Sequence, residues 1–110
     1  MKVETKLYKG VLLARVEGEF DMHVAAAFKE ATDACLGRDA KDLVVDLTAV
    51  PFIDSSGIGA LLGRYRRIEH LGGKMLLVGA CAAVERILRL SGVLQVMELC
   101  GDEQQALARL

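Results

Sequence analysis

Leu43-Val44-Val45-Asp46-Leu47 is a nearly continuous apolar run. That is the pattern of a strand buried on both faces, as parallel strands are when helices cover both sides of a sheet. Pro51 follows at once and argues against extending the strand. Beyond it, Ile58, Leu61, Leu62, Tyr65, Ile68 and Leu71 recur with helical period, so a helix is expected over Ser56–Leu71. A buried strand, a short turn and an amphipathic helix form one unit of an α/β fold, and the rest of the chain must supply its neighbours.

It does so. Val3–Tyr8 and Val11–Glu17 read as two strands joined at Lys9-Gly10, an antiparallel hairpin in which Val3, Thr5 and Leu7 share a face. Asp21 is a candidate N-cap for a helix from Met22 to Leu36, ended by Gly37, with Val24, Phe28, Ala31 and Cys35 inward. Lys74–Gly79 is another buried-type strand. Ala82–Ser91 is a helix with Val84, Ile87 and Leu88 inward, and Val96–Leu99 a short strand. Asp102 caps a last helix, with Gln105 placed for a capping box. The expected order is β-β-α-β-α-β-α-β-α. It is an α/β fold with a mainly parallel sheet, an antiparallel N-terminal edge and helices packed on it. The 110 residues contain no repeat or linker, so one domain spanning 1–110 is expected.

Composition narrows the function. A hydrophobic share of 53% against 26% charged supports a packed core and not disorder. A net charge of −1 argues against a nucleic-acid surface, which needs a basic excess. No apolar run approaches a membrane span, and Met-Lys-Val-Glu-Thr-Lys is not of signal-peptide type, so the chain reads as cytoplasmic and not membrane-associated. Cys35, Cys81 and Cys100 lie far apart with no Cys-x-x-Cys. Neither a metal site nor a redox pair is supported, and Cys35 and Cys81 read as small core hydrophobes.

Enzyme readings fail for want of partners. Ser55 and Ser56 sit between a strand and a helix as a hydrolase nucleophile does, but the flanks are Ile53, Asp54 and Gly57, not Gly-x-Ser-x-Gly. Only His23 and His70 could act as a base, and neither has an acidic partner placed by sequence. There is no phosphate-binding loop and no dinucleotide fingerprint. Asp46 has no second carboxylate beside it and reads as a structural hydrogen-bonding residue. No cofactor is expected.

The Asp54-Ser55-Ser56-Gly57 turn is the candidate site. A helix begun there leaves its first N–H groups unpaired. A side chain can cap them, or an anion such as a phosphate can be stabilised by them and by the helix dipole. A serine here is therefore a cap or a phosphorylation site. Ser55 is expected to accept phosphate and Ser56, one step inward, to cap. Gly57, Gly59 and Gly63 each weaken the helix by about 1 kcal/mol relative to Ala. Either close packing on the sheet or the close approach of a partner backbone must offset that.

Phe52-Ile-Asp-Ser-Ser-Gly-Ile-Gly-Ala-Leu resembles the STAS family, the sulfate-transporter and anti-sigma-factor-antagonist domain. Gly18-Glu19-Phe20-Asp21, Leu43-Val-Val-Asp-Leu, Leu62-Gly-Arg-Tyr-Arg-Arg-Ile, Leu71-Gly-Gly-Lys and Val84-Glu-Arg-Ile-Leu-Arg-Leu-Ser-Gly-Val extend the resemblance over nearly the whole chain. They place it nearest the sporulation branch, the anti-sigma-F factor antagonists. Phe20 and Met22 stand where that branch usually has Leu and His.

The resemblance implies the fold reached above and no enzyme activity. It implies phosphorylation on Ser55, the serine after the Asp, by an anti-sigma factor that is itself an ATP-dependent serine kinase. The unphosphorylated form would bind that partner and release the sigma factor, and a serine phosphatase would reset it. The partner surface is expected to comprise Asp21, Asp54, Ser55, Ser56, Gly57, Ile58, Arg64 and Arg67. Two other readings stay open: a STAS domain of another signalling complex, and a small-molecule or nucleotide binder using the helix N-terminus.

Overall fold

The structure, a computed structural model, describes residues 2–110. The elements are β1 (Val3–Tyr8), β2 (Val11–Glu17), α1 (Met22–Asp33), β3 (Asp42–Ala49), α2 (Ser55–His70), β4 (Met75–Val78), α3 (Ala82–Leu90), α4 (Val93–Val96), β5 (Glu98–Cys100) and α5 (Glu103–Ala108). One sheet takes the strands in chain order. β1 and β2 are antiparallel, and β2-β3-β4-β5 pair in parallel. This is the α/β arrangement the sequence predicts, with α4 as one additional helical turn.

Alternation along β3 sorts its side chains. Leu43, Val45 and Leu47 enter a core shared with Phe28 of α1, Leu61 and Ile68 of α2, and Val84 and Leu88 of α3. Val44 points the other way and packs with Leu13, Leu76, Val78, Cys100 and Ala106 of α5. Both faces of β3 are therefore covered, which is why its run is apolar throughout.

Two boundaries and the burial of two residues differ from the sequence reading for local reasons. α1 ends at Asp33, not Leu36: Cys35 and Leu36 donate instead to Thr32 O, and Leu36 bridges Ala40 before the chain turns into β3. The stretch from Val93 makes a turn of helix before β5, because Gly92, at φ +86, reverses the chain and sends Val93 into the core. Leu7, expected beside Val3 and Thr5, is half exposed near the end of the hairpin. Cys81 is exposed at the N-cap of α3, while Cys100 is the buried cysteine.

Candidate functional site

Two helices begin side by side. Phe20 and Ile53 form a parallel bridge. Phe20 N–H donates to Phe52 O at 2.9 Å, and Asp54 N–H donates to Phe20 O at 3.3 Å. The residue after each bridge partner is an aspartate in extended backbone, Asp21 at φ −97, ψ −171 and Asp54 at φ −101, ψ −174. Each carboxylate then accepts two first-turn N–H groups. Asp21 takes those of His23 and Val24 at 3.1 and 3.0 Å, and Asp54 those of Ser56 and Gly57 at 2.8 and 3.1 Å.

This corrects the assignment of the cap. Asp54, not Ser56, caps α2, and the helix starts at Ser55. The extended backbone of Asp54 sets its carboxylate over the second and third helical N–H groups, so those groups are not free to hold an anion. Ser55 is the first helical residue and is exposed, whereas Ser56 is half-buried. The Ser55 hydroxyl is thus presented to solvent beside a carboxylate, at the positive end of a 16-residue helix.

The glycines divide into two kinds. A Cβ on Gly57 would stand 2.6 Å from Phe20 O and 2.7 Å from Ile53 Cγ1, so Gly57 is required by the close crossing that joins the two helix starts. Gly59 and Gly63 face open space, and nothing inside the described residues calls for them. They lie four and eight residues after Ser55 and share its side of the helix. Exposed Arg66 continues that side, and exposed Met22 and Phe52 flank the helix starts.

The other expected contact residues scatter. Ile58 is half-buried against the core. Arg64, expected on the exposed helix face, is turned toward α1. Its side chain is 14% exposed and its Nε lies 3.4 Å from Asp33 Oδ1. Arg67 Nη1 donates to the same oxygen at 3.0 Å, and its Nη2 donates to Leu36 O at 2.6 Å. The physical reason is the helix turn: Arg64 is nine residues from Ser55, half a rotation away. The pair fastens α2 to α1. Among the described residues, exposed His23 and His70 have no acidic partner, and no cluster of His, Cys, Asp and Glu has the makings of a metal site.

A separate polar cluster holds α5. Glu103 receives two bonds from Arg15, from Nε and Nη2, both at 2.8 Å, and Arg15 Nη1 reaches Glu4 at 3.1 Å. Bonding from Arg15 lowers the Glu103 carboxyl to about 2. Asp46 accepts from Thr48 N and Oγ1, and burial, with Glu103 nearby, pushes its carboxyl up.

Sequence reasoning located both helix starts, the Asp21 cap and the Asp54 turn, but not that they lie side by side. The signal was present in Glu19-Phe20-Asp21-Met22 and Phe52-Ile53-Asp54-Ser55, an apolar residue followed by Asp twice over. The open glycines were indistinguishable in sequence from the packed one.

The STAS domain family matches residues 2–106 of this chain. The chain is 33% identical to the anti-sigma F factor antagonist of Paenibacillus polymyxa over 111 aligned positions, covering 100% of this chain and 95% of that protein. Among solved structures it resembles the anti-sigma factor antagonist SpoIIAA in its unphosphorylated form, with a TM-score of 0.86 and 23% identity over 97% of this chain and 94% of that one. It also resembles the phosphorylated form of the Bacillus cell fate determinant SpoIIAA, with a TM-score of 0.78 and 22% identity over 97% of each chain. At those identities the two structures establish the fold.

Proposed function

Because this chain belongs to the STAS domain family, we propose that it is an anti-sigma factor antagonist switched by phosphorylation of Ser55. The unmodified protein binds an anti-sigma factor, of the sporulation sigma-F type, that is also an ATP-dependent serine kinase, and so frees the sigma factor. Transfer of phosphate to Ser55 ends that binding, and a serine phosphatase restores it. The chain itself is a regulatory protein of the cytoplasm and catalyses nothing.

The observation that carries this reading is the Ser55 hydroxyl, exposed at the first helical position of α2 directly after the Asp54 cap. The partner surface we assign includes Asp21, Asp54, Ser55 and Ser56. Gly59, Gly63 and Arg66 continue along the helix, and Met22 and Phe52 supply apolar flanks. Gly57 and Ile58 shape this surface from beneath, and Arg64 and Arg67 hold α2 in place.

Magnitudes favour a local switch over refolding. A phosphate adds roughly −1.5 to −2 charges. The helix dipole favours an exposed anion there by about 0.3–1 kcal/mol. The Asp54 carboxylate opposes it by about 1.5–2 kcal/mol at contact distance in water. Both are small against a fold stability of about 5–15 kcal/mol, so the domain stays folded. An interface pressed against Ser55 would have to strip water from an unpaired dianion, at several kcal/mol. A loss of about 4 kcal/mol is about a thousandfold in affinity.

The test is a titration of the anti-sigma factor kinase with the unmodified protein, the Ser55 phosphoprotein, Ser55→Asp and Ser55→Ala, alongside thermal melts. Ser55→Ala should bind nearly as the wild type does. The phosphoprotein and Ser55→Asp should bind far more weakly with unchanged melting. Equal affinity of the phosphorylated and unmodified forms would remove the switch from Ser55.

A further inference from the structure

The sheet ends at β1, a six-residue edge strand. Glu17 N–H donates to Lys2 O at 2.8 Å, and Lys2 and Glu17 continue the β1–β2 register in which Val3 stands opposite Val16. Hydrogen-bonded and non-bonded pairs alternate along an antiparallel ladder. Lys2, Glu4, Lys6 and Tyr8 therefore turn their backbone groups toward β2, and Val3, Thr5 and Leu7 turn theirs outward. Such an edge is a template for a further strand. The opposite edge, β5, has only three residues.

We propose that β1 pairs antiparallel with β1 of a second copy of this chain about a two-fold axis through Thr5. The outward groups admit only registers that set odd-numbered residues opposite one another. Centred on Thr5, the pairing uses all three: Thr5 faces its own copy and Val3 faces Leu7 in both directions, each pair exchanging two hydrogen bonds. On the α5 face Glu4 then lies opposite Lys6 of the second copy, twice by symmetry, and Lys2 lies opposite the ring of Tyr8. Shifting the centre to Glu4 sets Glu4 against Glu4 and Lys2 against Lys6. Shifting it to Lys6 sets Lys6 against Lys6. Like charges directly opposite are destabilising, so charge selects the Thr5 register. Leu7 and Tyr8, 50% and 55% exposed in the single chain, gain cross-strand neighbours. The pairing leaves α2 and Ser55 uncovered, because α2 lies between β3 and β4 in chain order and β1 is two strands beyond β3.

Sedimentation velocity on the full chain from about 1 µM to about 1 mM tests this. The mass should rise with concentration from 11.9 kDa toward twice that value. Thr5→Pro removes an outward N–H that β2 does not use, a position where an edge strand tolerates proline, and should leave only monomer. Lys6→Glu sets a carboxylate opposite Glu4 of the second copy, twice by symmetry, and should weaken association by about tenfold. Thermal melts establish that both variants are folded. A wild type that stays at 11.9 kDa throughout, or a dimer that either substitution leaves unweakened in folded protein, overturns the proposal. So does a dimer abolished instead by Leu90→Arg, since Leu90 is the most exposed large apolar residue, at 77%.

Discussion

The starts of α1 and α2 are built alike and furnished differently. Both follow the Phe20–Ile53 bridge, both carry an Asp cap with nearly the same backbone angles, and both use that carboxylate on the second and third helical N–H groups. Counting from the cap, Met22 in α1 corresponds to Ser55 in α2, Val24 to Gly57, Ala26 to Gly59 and Glu30 to Gly63. α1 carries good helix formers on its exposed side where α2 carries glycine, at about 1 kcal/mol per exchange. A third start, α5, is also capped by an aspartate, Asp102 accepting from Gln105 N at 2.8 Å, and its first residue is Glu103. There an anion at the first helical position is gripped by Arg15. At the same position of α2 stands Ser55, which is uncharged and takes part in no ion pair. The same local architecture thus gives an inert start, a start locked by an ion pair and a start left open.

The largest effect is expected at Gly57. Gly57→Ala drives a methyl into Phe20 O and the Ile53 side chain, forces the two helix starts apart and should lower unfolding stability by about 2–3 kcal/mol, read by urea denaturation. If stability is unchanged, the close crossing is not what joins α1 and α2.

Glu103→Gln should cost about 1–2 kcal/mol near neutral pH by removing the charge that Arg15 grips. The sign follows from the direction of the shift. A carboxyl lowered to about 2 from an ordinary 4.5 stabilises the fold above 4.5 and loses that contribution as pH falls toward 2. Denaturation across pH 7 to 2 should show wild type and Glu103→Gln converging at the acid end. A gap that stays constant would assign the loss to packing alone.

The two matched caps should be near equals in stability and unequal in function. Asp21→Ala and Asp54→Ala should each destabilise by about 1 kcal/mol. Asp54→Ala should alter the rate at which Ser55 is phosphorylated by the partner kinase more than Asp21→Ala does, since only Asp54 adjoins the hydroxyl. The smallest expected change is in the opposite direction. Gly59→Ala and Gly63→Ala should each stabilise the protein by about 0.5–1 kcal/mol, measured by thermal melts, and each should weaken partner binding. Stabilisation without loss of affinity would take these glycines out of the partner surface.

How far the sequence could be read follows from the same contrast. The order of strands and the mainly parallel sheet were legible because β3 and β4 are apolar on both faces, and the helix stripes kept their period. The Asp54 turn was legible because cap, hydroxyl and glycine are adjacent. The Ser56 cap was misassigned because Asp and Ser both cap well, and only the backbone angle at residue 54 distinguishes them. Arg64 was misplaced although its phase, half a rotation from Ser55, was legible in the sequence; only its pairing with Asp33, 31 residues away, was not. The turn of α4 depends on Val93 reaching a core assembled from distant strands, which no local pattern encodes.

The central claim is that the open helix start carries the modification. Incubation of the protein with the anti-sigma factor kinase and ATP, followed by peptide mapping, tests it most directly. The account predicts phosphate on Ser55 alone, abolished in Ser55→Ala and retained in Ser56→Ala. Phosphate on Ser56, or anywhere else in Ser55→Ala, would contradict it.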